Sequence, residues 1–190
     1  ETMADIASNT LAASKRAAAV QRLSWEAMAA SPKAYRELLK TLMDPQTPKT
    51  VRTALLLEVK SLMFGPARNA PLFADTMAAM RKMRADTDDE IRLEVHGMLA
   101  REGDAAALTG LVEGLRSPDK AAVPPEAALR LLSSAVHAGA FDVAKEILKK
   151  PPSEEARVEA LRILAADGTE AGRFEKLFLD RNASLQLRTM

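Results

Sequence analysis

Two histidines and one run of carboxylates are the side chains in this sequence whose types could support metal binding or acid–base chemistry. His96 and His137 are the only histidines among the 190 residues. Neither lies in a His-Glu-x-x-His spacing, which would place two imidazoles and a carboxylate on one helix face. The sequence therefore predicts surface or groove histidines, with no metal site and no cofactor.

The carboxylate run comprises Asp86, Asp88, Asp89 and Glu90. A calcium loop would need alternating oxygen ligands, a turn glycine and a bidentate Glu at the correct distance, and this run lacks them. Thr87 and Glu90 have the spacing of a capping box, and acidic residues in a first helical turn complement the helix dipole. We therefore predict a helix start here rather than a cation site.

Basic residues form two groups, and the chain carries a formal net charge of only +1. A nucleic-acid surface would need a continuous basic stripe with stacking aromatics, but the single Trp25 and single Tyr35 lie far from both groups in the sequence. The sequence predicts solvated helix faces and argues against a nucleic-acid partner. The groups are Arg81, Lys82, Arg84 and Lys145, Lys149, Lys150.

Other catalytic patterns are missing from the sequence. There is no cysteine, so thiolate catalysis and Cys-based zinc binding are excluded. Gly110 and Gly114 are not followed by the Lys-Ser/Thr pair of a phosphate-binding loop. The sequence therefore predicts a protein that is not an enzyme.

The elements that position these residues are predicted to be helices. The chain is rich in Ala, Leu and Met, only 4% aromatic, and has no period-two stretch typical of a strand. Ser31-Pro32 and Thr47-Pro48 each place a capping residue before a proline at a helix start. Helical segments of about 10–17 residues separated by such signals predict an all-α fold.

A repeat underlies these segments. Equivalent second helices open near positions 15, 51, 91, 124, 156 and 187, spaced by 36, 40, 33, 32 and 31 residues. A drifting period in the thirties, with one helical hairpin per period, is typical of an α-solenoid.

The segment Leu38 to Leu57 carries the repeat most clearly: an apolar helix, the Asp44-Pro45 turn, then Val51-Arg52 opening an Ala/Leu-rich helix. This pattern resembles the HEAT repeat family, and the shorter C-terminal periods resemble the HEAT-like repeats of phycobilisome lyases. The resemblance implies an α-α superhelix (armadillo/HEAT-type solenoid) of about five to six hairpins. It predicts a single domain over 1–190, as a fragment of a longer chain.

In such repeats the turn Asp and the helix-opening Arg have structural roles, and the Arg reaches toward the acidic turn of its own or of an adjacent unit. We therefore predict an Asp44–Arg52 pair and its repetition at Asp180 and Arg188. Pro125 departs from the pattern and predicts irregular packing in its repeat.

The function that the resemblance implies is that of a non-catalytic scaffold, which binds a protein or peptide on a concave face lined by second helices. The alternatives are a HEAT-like enzyme, either a chromophore lyase or a DNA glycosylase, and a nucleic-acid-binding scaffold. The candidate surface residues, all expected to be exposed, are Thr53, Leu56, Lys60, Leu93, His96, Leu129, Ser133, Val158 and Leu161.

Apolar residues near the C-terminus, including Phe174 and Phe178, predict self-association through that end. No apolar run approaches the roughly 20 residues needed to span a bilayer. The expected compartment is the cytoplasm, with the periplasm as the alternative.

Overall fold

The computed structural model describes residues 2–24, 28, 30–64, 70–133, 139–170, 172 and 174–175. Within these residues it contains helices and turns and no strand, which confirms the predicted all-α class. The chain divides into two compact units, Glu1–Met98 and Leu99–Met190. The described helices are α1 (Thr2–Ala7), α2 (Ala13–Val20), α3 (Pro32–Met43), α4 (Lys49–Phe64), α5 (Ala70–Lys82), α6 (Asp89–Arg101), α7 (Ala105–Arg116), α8 (Pro125–Leu132), α9 (Ala140–Lys149) and α10 (Glu154–Ala165).

Helices of the first unit pack in two layers. Helices α1, α3 and α5 form one row, because α3 contacts both of the others. Helices α2 and α4 pack against each other in the second layer. Sequence neighbours α1 and α2, and likewise α3 and α4, contact each other as hairpins.

The second unit repeats this arrangement with α7 and α9 in one layer and α8 and α10 in the other. Hairpins α7–α8 and α9–α10 are joined by contacts within both layers. Leu111, Leu129, Val143 and Ile163, one from each helix, are buried in a shared apolar cluster. Each helix is short, so this mutual coverage of apolar stripes supplies most of its stability.

Helices start within two residues of the predicted turn signals, but the caps differ from those predicted: Ser31 makes no side-chain hydrogen bond to α3, and α4 begins at Lys49, one residue after Pro48. Pro32 is the first residue of α3, as expected for a proline whose missing N–H has no intrahelical partner. At α6, however, the cap is Asp88 rather than Thr87: its Oδ1 accepts hydrogen bonds from the backbone N–H groups of Glu90 and Ile91, at 3.0 and 3.1 Å. The predicted capping box of Thr87 and Glu90 is wrong because Asp88, one residue later, satisfies the free N–H groups itself.

Gly114 in α7 allows a close approach between that helix and the turn that follows it. A Cβ atom at this position would lie 3.0 Å from the Cα of Ala121. The same atom at Gly110, one turn earlier, would meet nothing within 4 Å. The packing of α7 against this turn therefore favours glycine at position 114.

Candidate binding surface

Two buried arginines make equivalent hydrogen bonds to the backbone, one in each of the first two hairpins. Arg52 Nε on α4 donates to the carbonyl oxygen of Leu42 at 2.8 Å. Arg16 Nε on α2 donates to the carbonyl oxygen of Ile6, also at 2.8 Å. Donors and acceptors are both separated by 36 residues, which is the spacing predicted between the first two anchors. The two helices of hairpin α1–α2 are thus joined by the same kind of side-chain-to-backbone bond as the two helices of hairpin α3–α4.

The acidic partner of Arg52 is Asp86, and the predicted Asp44–Arg52 pair is wrong. The Arg52 side chain is only 4% exposed; Nη1 lies 3.3 Å from Asp86 Oδ1, and Nη2 makes a shorter contact with Oδ2. Asp44 instead accepts hydrogen bonds from Gln46 N at 2.9 Å and Thr47 Oγ1 at 3.5 Å. The arginine therefore joins its own hairpin to the turn before α6.

The electrostatics of Asp86 follow from this contact. Burial alone would raise the pKa of Asp86, but the Arg52 hydrogen bonds and charge and a bond from the Asp88 N–H outweigh it. The result is a pKa below the usual range, so Asp86 is held as a carboxylate. Asp180 and Arg188 lie outside the described residues.

Ion pairs between helices that are two apart along the chain share one direction. In each of the pairs named below, the base comes from the earlier helix and the acid from the later one. Each pair therefore neutralises a base on one helix with an acid on, or at the start of, a later helix. The pairs are Arg36–Asp75, Lys49–Asp88, Lys60–Glu94, Arg116–Glu146 and Arg130–Glu159.

The nine candidate surface residues divide by burial. Thr53 and Lys60 are half-buried, and Leu93 and Ser133 are exposed. The other five are buried, so the prediction that they are exposed is wrong: Leu56, His96, Leu129, Val158 and Leu161. The binding role of the four accessible residues remains a prediction.

A shift of one residue separates the buried Leu129 and Leu161 from the exposed Arg130 and Arg162, but it does not account for Val158, which is followed by the buried Glu159. Leu129 and Val158 lie in the core, and the residues after them, Arg130 and Glu159, form an ion pair in which only the arginine is exposed. Val158 and Leu161 also pack with Phe174, which is half-buried within its own chain. Successive residues of a helix point about 100° apart, so one position separates core from surface.

In the first unit, two accessible leucines lie on α4 and α6. Leu57 is 57% exposed and Leu93 is 36% exposed. Lys60, one turn after Leu57, donates to Glu94 Oε2 at 2.7 Å, which links the two helices beside these leucines. Leu57 was missed by sequence reasoning, although its spacing of four from Thr53 and three from Lys60 places all three on one helix face.

In the second unit, two arginines meet one buried carboxylate. Glu159 Oε1 on α10 accepts from Arg130 Nε and Nη2 on α8, at 3.3 and 3.2 Å, and from Arg162 Nη1 at 2.7 Å. Sequence reasoning did not single out these residues. The only local signal was the Glu159–Arg162 spacing of three, which favours an ion pair on one helix face.

His96 is a buried, neutral histidine of the first unit. Its Nε2 lies 3.1 Å from the carbonyl oxygen of Arg84, which can only accept, so Nε2 carries the proton. Nδ1 is buried and has no hydrogen-bond partner among the described residues. Burial lowers the pKa of His96; the Arg84 carbonyl opposes this shift, and the charges of Arg84 and Arg92 add to it. His137 lies outside the described residues.

We expect His96 to make the protein less stable in mild acid. Below about pH 6.5 the unfolded chain binds a proton at this histidine while the folded chain does not, so the free energy of unfolding falls until the lower folded pKa is reached. Above about pH 6.5 both states are neutral and the contribution vanishes. Urea unfolding between pH 7.5 and 5 measures the slope.

The matched variant for this prediction is His96→Gln, whose amide nitrogen can still donate to the Arg84 carbonyl but does not titrate. It should show a smaller loss of stability over the same pH range. Equal slopes in wild type and variant would show that His96 does not carry the effect.

The remaining candidates for chemistry are engaged in structural contacts. Asp88 and Glu90 both bind Lys49 Nζ, at 3.1 and 2.6 Å, and Asp89 pairs with Arg92. No group of three side chains with metal-ligand chemistry occurs among the described residues. The geometry of the carboxylate run is therefore that of a capped and paired helix start.

Comparison with known proteins finds no match among protein-family models, curated proteins or solved structures. None of the described helices is both long and apolar enough to cross a membrane. The fold and the contacts between helices define this chain as an all-α protein built from layered helical hairpins.

Proposed function

We propose that each unit is a HEAT-like stack of hairpins and that the protein is a non-catalytic scaffold that binds another protein or peptide. The recurring bond of Arg16 and Arg52 supports the repeat, because the same side chain closes the same hairpin 36 residues later. The layered packing within each unit supports the stack. A single solenoid domain over 1–190 remains part of the proposal.

The observation that carries the binding role is the second-helix surface of the first unit. Leu57 and Leu93 are the large apolar side chains that remain exposed among the described residues. They lie beside the Lys60–Glu94 ion pair and the half-buried Thr53. Apolar groups bordered by satisfied polar groups are typical of protein interfaces, whereas a phosphate backbone would require surplus positive charge.

The state of the titratable groups supports a role without catalysis. His96 donates from Nε2 to a backbone carbonyl and is buried, so it does not face a substrate. Asp86 is bound to Arg52, and Asp88 caps a helix. These groups therefore make structural contacts at the positions whose residue types could have bound a metal.

Site-specific photocrosslinking tests this function. A benzoylphenylalanine placed at Leu57 or at Leu93 should give one discrete crosslinked protein band in a lysate of the native organism. The same residue at Lys33, exposed on α3 of the other layer, is the matched control. Absence of a band at both leucines, or an equal band at Lys33, would contradict a second-helix binding surface.

A further inference from the structure

The second unit carries two exposed arginines that bind the same buried carboxylate oxygen. Arg130 is 66% exposed and Arg162 is 51% exposed, whereas the Glu159 side chain is only 6% exposed. Both guanidinium groups lie within 3.3 Å of Glu159 Oε1, one from α8 and one from α10. Glu159 thus holds two like charges close together at the surface.

We infer that Arg130 and Arg162 form a docking site for one carboxylate side chain of an acidic peptide. This inference rests on the proposed binding function and names the chemistry of the partner at this position. It concerns residues of the second unit only.

The donor capacity of the two arginines supports a ligand. Each guanidinium has five N–H groups, and only three of the ten contact Glu159. The others are available to solvent on side chains that are more than half exposed. An oxyanion with two oxygens can accept from both arginines at once, and such charge-assisted bonds are the strongest that side chains form.

Charge balance favours a single carboxylate. Two guanidinium groups and one carboxylate leave a surplus of one positive charge. Arg157 does not add to the surplus, because it pairs with Glu154 at 3.6 Å.

Arg116 differs from Arg130 and Arg162 because it does not share its carboxylate with a second arginine. It binds Glu146 through Nε and Nη2, both at 2.9 Å, and its side chain is about half exposed. One carboxylate therefore neutralises one arginine. Arg116 belongs to the same unit and provides a matched control for the loss of one exposed positive charge.

The test uses fluorescence anisotropy with a fluorescein-labelled hexaglutamate peptide and the full chain. We expect hexaglutamate to bind more tightly than hexaglutamine in low salt. Arg162→Gln and Arg130→Gln, each of which leaves Glu159 paired with the other arginine, should weaken binding about tenfold or more. Arg116→Gln should change it less than about twofold. Thermal melting confirms that each variant is folded.

Three results would overturn the inference: equal binding of hexaglutamate and hexaglutamine, equal losses in Arg116→Gln and Arg162→Gln, or tighter binding of a phosphoserine peptide of the same length. Crosslinking from Leu57 and Leu93 reports on the first unit independently. If crosslinking succeeds and hexaglutamate binding fails, only this inference is rejected. If crosslinking fails and hexaglutamate binding succeeds, the surface of the first unit is rejected instead.

Discussion

Arg52→Ala is expected to lower the free energy of unfolding by about 3–5 kcal/mol, because it leaves the largely buried Asp86 carboxylate without its partner. The variant also loses the bond from Nε to the Leu42 carbonyl, which joins α3 to α4. The Asp86 carboxylate would then keep the hydrogen bond from the Asp88 N–H but lose the hydrogen bonds and the charge of Arg52, while it stays largely desolvated. Urea unfolding at neutral pH, followed by circular dichroism, measures this loss.

The control for this variant is Lys60→Ala, which removes the base of an exposed ion pair on the same helix. Its expected cost is about 0–1 kcal/mol, because solvent screens exposed pairs and already solvates each partner. If the two variants cost the same, the Arg52–Asp86 contact is not the buried structural pair described above.

Leu129→Ala is expected to lower the free energy of unfolding by about 2–5 kcal/mol. Leu129 is fully buried in the apolar cluster of the second unit, so truncation removes apolar contacts and leaves a cavity between α8 and its neighbours. Had this side chain lined an open binding surface, the same truncation would affect stability little.

Leu93→Ala is the matched substitution at an exposed leucine of the same predicted surface. Substitutions at such positions change stability by about 0.5 kcal/mol or less. Both variants are measured by urea unfolding under identical conditions. A small effect for Leu129→Ala, or equal effects for the two variants, would contradict the burial of Leu129 in the core.

The all-α class and the hairpin spacing follow from local sequence. The helix start at Pro32 depends on the proline itself and the start near Asp88 on a side-chain cap, and short-range patterns contain both signals. The spacing of 36 residues between the first two hairpins is visible in the sequence and recurs in the bonds of Arg16 and Arg52. The interaction of each arginine with a carbonyl ten residues earlier is also local, because both lie in one hairpin.

Tertiary packing decided which acid Arg52 binds and which helix faces are covered. Asp44 and Asp86 are both turn carboxylates, and the repeat pattern allowed the acidic turn of the same or of an adjacent unit without deciding which one faces the guanidinium. Leu129 and Arg130 are adjacent, yet one is in the core and the other pairs with Glu159, because α10 packs against one side of α8. Sequence determined where helices begin and recur; the neighbours of each helix determined which of its side chains are buried, since burial depends on contacts between residues distant in the chain.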